Sequence, residues 1–203
     1  MSRSRRNLKK TLQPKLDEAC AGKRVVFFVD CAHFVLAPFL GYLWSACRLF
    51  IKAPAGRQRL NVLGALNAVS HELITVINDS YINAQSVCDL LWKIHRLHSQ
   101  TPVSIVLDNA KYQHCQLVIA LAEALKIELL FLPPYSPNLN LIERLWKFVK
   151  KQCLYSKYYD QFALFQQSII DCLSQTHSTY KHQLDSLLTL KFQTFQQSQF
   201  LSL

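Results

Sequence analysis

The chain has 203 residues, half of them hydrophobic and 18% charged, which suits one domain with a full core and excludes a disordered chain. Four Gly, seven Pro and seven scattered Cys exclude collagen-like, low-complexity and disulfide-scaffold classes, and without a C-x-x-C pair a cysteine zinc site is not expected. Lys and Arg number 23 against 13 acids, a formal +10, which favours a polyanionic partner, either nucleic acid or a membrane surface. The longest run free of Asp, Glu, Lys and Arg, Cys31 to Cys47, falls short of the ~20 apolar residues of a membrane span. MSRSRRNLKK leads into no apolar core or cleavage site, so a soluble, cytoplasmic protein is expected.

Residues 7–24 read as a charged helix, with Asn7 as possible cap and Gly22 as stop. Residues 1–24 hold eight basic residues and two acids, so +6 of the net charge falls in a basic N-terminal helix or tail. KRVVFFVD follows as a buried strand ending at Asp30, and segments around 42–52, 58–69 and 71–78 continue as strands separated by turn signals. From Asn83 to His98 the period turns helical, with Val87, Leu90, Leu91 and Ile94 on one face. TPVSIVLD is another strand, again ending in an aspartate, Asp108; a helix at 112–125 and the strand IELLFL come next. After the loop PPYSPN, residues 138 to about 190 lack Pro and Gly and read as helices, and 191–203 read as a Gln/Ser-rich tail. Strands first, then alternating strand and helix, then helices predict an α/β domain around a mixed sheet. In such sheets, sites gather at the carboxyl ends of parallel strands.

Among the 13 acids, Asp30 and Asp108 stand apart because each closes an apolar run. Either alone could merely cap a strand or the next helix. Two on neighbouring strands would repel, and one pKa would rise unless a cation lies between them. Glu143 is the third candidate. With Ser136-Pro137 as a helix start it lies about two turns inside, at the edge of an apolar face made by Leu139, Ile142, Trp146 and Val149. The competing structural reading places Asn140 as cap and Glu143 as its capping-box partner. Three carboxylates, two from strand ends and one from a helix, match what two-metal phosphoryl chemistry needs, with hard oxygen ligands suited to Mg²⁺ or Mn²⁺.

The stretch IVLDNAKYQH followed by FLPPYSPNLNLIERLWKFVK resembles the D-D-E transposases of the Tc/mariner superfamily, in particular bacterial insertion-sequence members, and VVFFVDCAHF looks like that family's first catalytic strand. Asp108 and Glu143 are separated by 34 residues, as the resemblance leads one to expect. It covers roughly 24–155, and Leu141 and Cys31 depart from it where relatives often have Pro and a second acid. The resemblance implies an RNase H-like, retroviral-integrase-like mixed sheet flanked by helices. It also implies a metal-binding catalytic triad of Asp30, Asp108 and Glu143 holding two Mg²⁺ or Mn²⁺ ions, with DNA cleavage and strand transfer as the reaction. The expected organisation is a basic helix or tail at 1–24, the catalytic domain at 25–175, and a C-terminal helix and tail at 176–203. The partners expected are DNA at element ends and target, and either a second copy or a separate helix-turn-helix chain. The alternatives are an inactive fragment that only binds DNA or dimerises, and an RNase H-like repair nuclease.

Arg144, Lys147, Lys150 and Lys151 form a basic cluster that either tracks a phosphate backbone or is a solvated helix face. His33, three residues past Asp30, could orient a ligand or phosphate, although a satisfied histidine near a strand end is the more common case. Asn109 suits a contact or a turn, and Tyr112, Tyr135 and Trp146 suit base stacking or the core. No Gly-rich phosphate loop or dinucleotide fingerprint is present, so no nucleotide cofactor is expected.

Overall fold

The computed structural model describes residues 3–36, 46–47, 58–133 and 139–190. Helix α1 (Arg3–Cys20) begins before Asn7 and carries Pro14 inside it. It stops at Gly22, which takes φ +70°, while the Lys23 and Gly22 amides donate back to Glu18 O and Ala19 O at 2.9 and 3.0 Å. This is a Schellman cap, and only glycine adopts that φ without strain. Leu12, Leu16 and Ala19 recur at helical spacing and are buried in the sheet's core. Lys15 and Arg24 both reach Glu128 Oε2, at 2.7 and 3.3 Å, and Arg24 also reaches Glu18 at 2.6 Å. The helical part of segment 1–24 is therefore docked, and part of its charge is neutralised within the fold.

Five strands form one mixed sheet: β1 (Val25–Val35), β2 (Arg59–Asn67), β3 (Leu73–Asn78), β4 (Val103–Leu107) and β5 (Ile127–Phe131), in the order β3-β2-β1-β4-β5. The first three make an antiparallel meander; β4 and β5 add parallel to β1 through helices α2 (Ala84–Leu97) and α3 (Gln116–Ala124). Asn83 starts α2 with a capping box shared with Ser86. Helix α3 is shorter than the expected 112–125, because residues 111–115 form turns.

The expectation that β1 ends at Asp30 is corrected: the strand runs on to Val35. Its parallel pairing with β4 stops at Phe28↔Val106, but its antiparallel pairing with β2 continues through Asp30↔Gly64 to Val35↔Arg59. One bonded neighbour is enough to keep the strand extended. The strand expected at 42–52 lies outside the described residues except for 46–47, and so do Ser136-Pro137 and the tail 191–203.

Side chains alternate across the sheet and feed two apolar layers. Phe28 and Val106 face a layer shared with α1, α4 (Ile142–Cys153), α5 (Phe162–Ser174) and α6 (Lys181–Leu187), whereas Phe27 and Ile105 face α2 and α3. Among the described residues the helical region thus holds three α-helices. Its breaks at 154–161 and 175–180 occur without Pro or Gly, the first with Ser156 at φ 57°. No helix among the described residues is long and apolar enough to cross a membrane.

Candidate active site

Two residues beyond the last β1–β4 pair, Phe28↔Val106, stand Asp30 on β1 and Asp108 just past β4. Asp30 follows Phe28 onto the layer that α4 covers. Asp108 opens a turn in which its Oδ1 accepts from the Ala110 amide at 3.2 Å. Asn109 completes that turn by donating its amide to Leu132 O at 3.1 Å, which ties the end of β4 to the end of β5.

Glu143 arrives from the other side, and two expectations about it are corrected. Helix α4 begins at Ile142, so Glu143 stands in its first turn rather than two turns inside. There the partial positive charge of the helix N-terminus favours its ionised form. The capping box is not formed either. Leu141 is the cap residue, with no side-chain bond, and Asn140 instead donates its buried amide to Val29 O at 3.1 Å. The start of α4 is thereby tied to β1 one residue before Asp30.

Asp30 and Glu143 line one cavity of about 260 Å³, together with Cys31, Ala32, His33, Trp146, Lys147 and Lys150. The Asp30 carboxyl is raised to about 7, chiefly by burial and to a lesser extent by the charges of Asp108 and Glu143, against a lowering hydrogen bond from the Cys31 amide. Burial also raises Glu143, with Asp108 adding to the rise and Lys147 and Lys150 opposing it. Cys31 is pushed up to about 12 by burial and then by Asp30 and Asp108, so it remains a thiol and is no nucleophile. The three acids therefore feel one another's charge. They are not closed into a cage: among the described residues no group of three or more His, Cys, Asp or Glu is gathered tightly enough to hold a metal ion.

The basic cluster divides. Lys147 and Lys150 line the cavity. Arg144 donates to Leu187 O and Thr189 O at 3.2 and 2.7 Å and so fastens the segment after α6, while Lys151 is exposed outside the cavity lining. Trp146 is core: it is 4% exposed, packs edge-on against Phe34, and its indole N–H is buried without a partner in hydrogen-bonding geometry, near enough to Asp30 to favour its charged form. Tyr112 packs partly buried against the α2–α3 layer, and Tyr135 lies outside the described residues.

Sequence reasoning missed two residues that shape this site. Gly64, the register partner of Asp30, lets Trp146 approach the sheet, and Asn61 fixes the ring of His33. Neither announces itself, because an isolated Gly or Asn in an apolar strand carries no periodic signal; only the pairing of β1 with β2 shows what each faces.

A family model described as "DDE superfamily endonuclease" matches residues 25–166. No curated protein matches. Among solved structures, the Mos1 strand transfer complex aligns over 95% of this chain and 62% of its own at 15% identity, TM-score 0.61. The mariner Mos1 paired-end complex with Mg aligns over 93% and 60% at 15% identity, TM-score 0.59. A simian T-cell lymphotropic virus intasome in complex with a PP2A regulatory subunit aligns over 76% and 48% at 14% identity, TM-score 0.52. These likenesses show the fold, an RNase H-like mixed sheet flanked by helices, and the chain spans about three-fifths of the Mos1 chains and half of the intasome chain.

Proposed function

We propose, from the premise that this chain belongs to the DDE superfamily endonucleases, that it is a transposase catalytic domain that cuts DNA at element ends and joins the freed 3′-hydroxyl to target DNA. The observation that carries this reading is that Asp30, Asp108 and Glu143 act on one another's charge just past the last parallel pair of β1 with β4, with Asp30 and Glu143 lining a cavity beside Lys147 and Lys150. The donor set fits a hard divalent cation. All three groups are carboxylates, the oxygen donors a hard divalent cation takes.

In this reading Asp30, Asp108 and Glu143 would hold Mg²⁺ or Mn²⁺, two ions, as their carboxylate ligands. Bound there, such ions supply Lewis-acid polarisation of the phosphate and a more acidic attacking hydroxyl. Lys147 and Lys150 draw the phosphate backbone toward the acids by charge. Asn140 and Gly64 set the distance between α4 and β1, and hence between Glu143 and Asp30. The partner is DNA, with a second copy of the chain or a separate helix-turn-helix chain supplying sequence recognition.

The test is metal-dependent nicking of DNA by the wild type, Asp108→Asn and Glu143→Gln. Gln preserves shape and hydrogen bonding but lacks the charge a hard cation requires, so nicking should fall by orders of magnitude in both variants. Near wild-type nicking by Glu143→Gln sinks the triad.

A further inference from the structure

We propose that Cys153 and Cys172 form a thiol–disulfide exchange site, at which Cys153 attacks a small disulfide and Cys172 resolves the product into an intramolecular disulfide joining α4 to α5. The inference is independent of the function proposed above. Cys153 is the last residue of α4, and Cys172 lies on α5. Both line a cavity of about 510 Å³ outside the acidic site, together with Lys157, Tyr159 and Ser168. Both residues are buried, at 2 and 4% exposure, so the cavity is the route by which a reagent meets them.

The packing brings the two thiols together. Leu164, Ser168 and Cys172 recur at helical spacing and turn one face of α5 to the cavity. Cys153 Sγ donates to Ser168 O at 3.4 Å, one turn before Cys172. The Tyr159 hydroxyl bonds Cys153 O and Ser168 Oγ, each at 2.7 Å, and so fastens the end of α4 over that turn. Thiol then meets thiol. A hydrogen bond from Cys172 holds the Cys153 thiol below its ordinary range, with Ser168 and Lys157 assisting against burial and Asp171. The same contact, together with burial, pushes Cys172 up. The pair is therefore unequal: Cys153 is the better thiolate and Cys172 its donor.

That inequality sets the order of events. The Cys153 thiolate, its proton lost to solvent, attacks one sulfur of the small disulfide. The S–S bond of the reagent breaks, a mixed disulfide forms on Cys153, and one small thiolate leaves and takes up a proton. Cys172 then gives its proton to solvent and attacks Cys153 Sγ, and the second small thiolate leaves and is protonated in turn. Two protein thiols are oxidised to one disulfide, and one small disulfide is reduced to two thiols.

The full chain, without denaturant, is treated with hydroxyethyl disulfide, its remaining thiols are blocked with iodoacetamide, and its tryptic peptides are weighed. Trypsin cuts after Lys151, Lys157 and Lys181, which puts Cys153 and Cys172 in separate peptides, 152–157 and 158–181. These should appear joined, and dithiothreitol should part them. The exposed Cys20 reports that the reagent is reacting. Cys172→Ser should keep the small thiol on Cys153, whereas Cys172 in Cys153→Ser should react about tenfold or more slower than Cys153 does in Cys172→Ser. The crosslink closes a short loop, so the oxidised wild type should melt about 5 °C or more above the reduced one. Unjoined peptides once Cys20 is fully modified overturn the proposal, and so do equal rates in the two serine variants. A joined chain that melts below the reduced one overturns it as well, because the crosslink then forms only in a distorted molecule.

Discussion

Gly64 lies directly beneath the Trp146 indole: a Cβ on Gly64 would stand 2.7 Å from Trp146 Cη2 and 2.8 Å from Cζ2. Both neighbours of this contact bear on the acids, since Gly64 pairs with Asp30 in the ladder and Trp146 is one turn from Glu143 on α4. The spacing between strand and helix thus depends on the absence of one methyl group. Gly64→Ala should cost about 1–3 kcal/mol by overpacking and reduce metal-dependent nicking by moving α4 outward. Denaturant melts and nicking assays check this, and Trp146→Phe, which clears the space, should recover much of the stability in the double variant.

Asp30 makes the metal-free fold sensitive to pH in a stated direction. Its carboxyl is raised from 3.8 to about 7, so between those values the folded chain holds a proton that the unfolded chain has released. Stability from this group is therefore full below about pH 4 and is lost as pH rises through about 7. With chelator present, Asp30→Asn should melt higher than the wild type at pH 8, and the difference should shrink toward pH 5. A constant difference between the two pH values would show that Asp30 is not raised.

Asn140 distinguishes a helix cap from a strand tether. Ser is a good substitute at an N-cap, but its side chain is too short to replace the bond to Val29 O. Asn140→Ser should therefore destabilise about as much as Asn140→Ala, roughly 1–3 kcal/mol, because a buried carbonyl is left unpaired. Full retention of stability in Asn140→Ser, measured by urea unfolding, would favour the capping role.

Charge on α4 predicts the salt dependence of DNA binding. Lys147→Gln and Lys150→Gln should each lower the log–log salt slope by about 0.9, the value for one lost phosphate contact, whereas Arg144 is engaged with Leu187 O and Thr189 O and Lys151 lies outside the cavity. Fluorescence anisotropy across a salt series measures the slopes. Lys151→Gln should change them least.

Helix α1 predicts a folding effect from a segment that reads as a basic helix or tail. Burial raises Glu128, but its bonds from Lys15 and Ser104 and the nearby Arg24 together hold its carboxyl below the usual range. Stability from this group is present above the ordinary carboxylate pKa and fades as pH falls below it. Removing residues 1–24 takes away these cations and uncovers the core around Leu12 and Leu16, so the truncated chain should lose its cooperative thermal transition in calorimetry.

The chain's own letters determined the elements and the candidate chemistry. The apolar runs ending at Asp30 and Asp108 placed one acid within a strand and one just past another, the helical period from Asn83 and the Gly22 stop marked helix ends, and the Pro-Pro-Tyr-Ser-Pro string marked the approach to Glu143, because these signals are local and periodic. Tertiary structure decided the rest. Whether β1 stops or continues at Asp30 depends on β2, which pairs with it from 34 residues away at Gly64. Whether Asn140 caps its helix or holds a strand depends on Val29 O, 111 residues back along the chain. The division of Lys147 and Lys150 from Arg144 likewise follows from where α6 ends. Such choices are made by side-chain contacts between distant segments, and these arise only once the sheet has set which residues face α4.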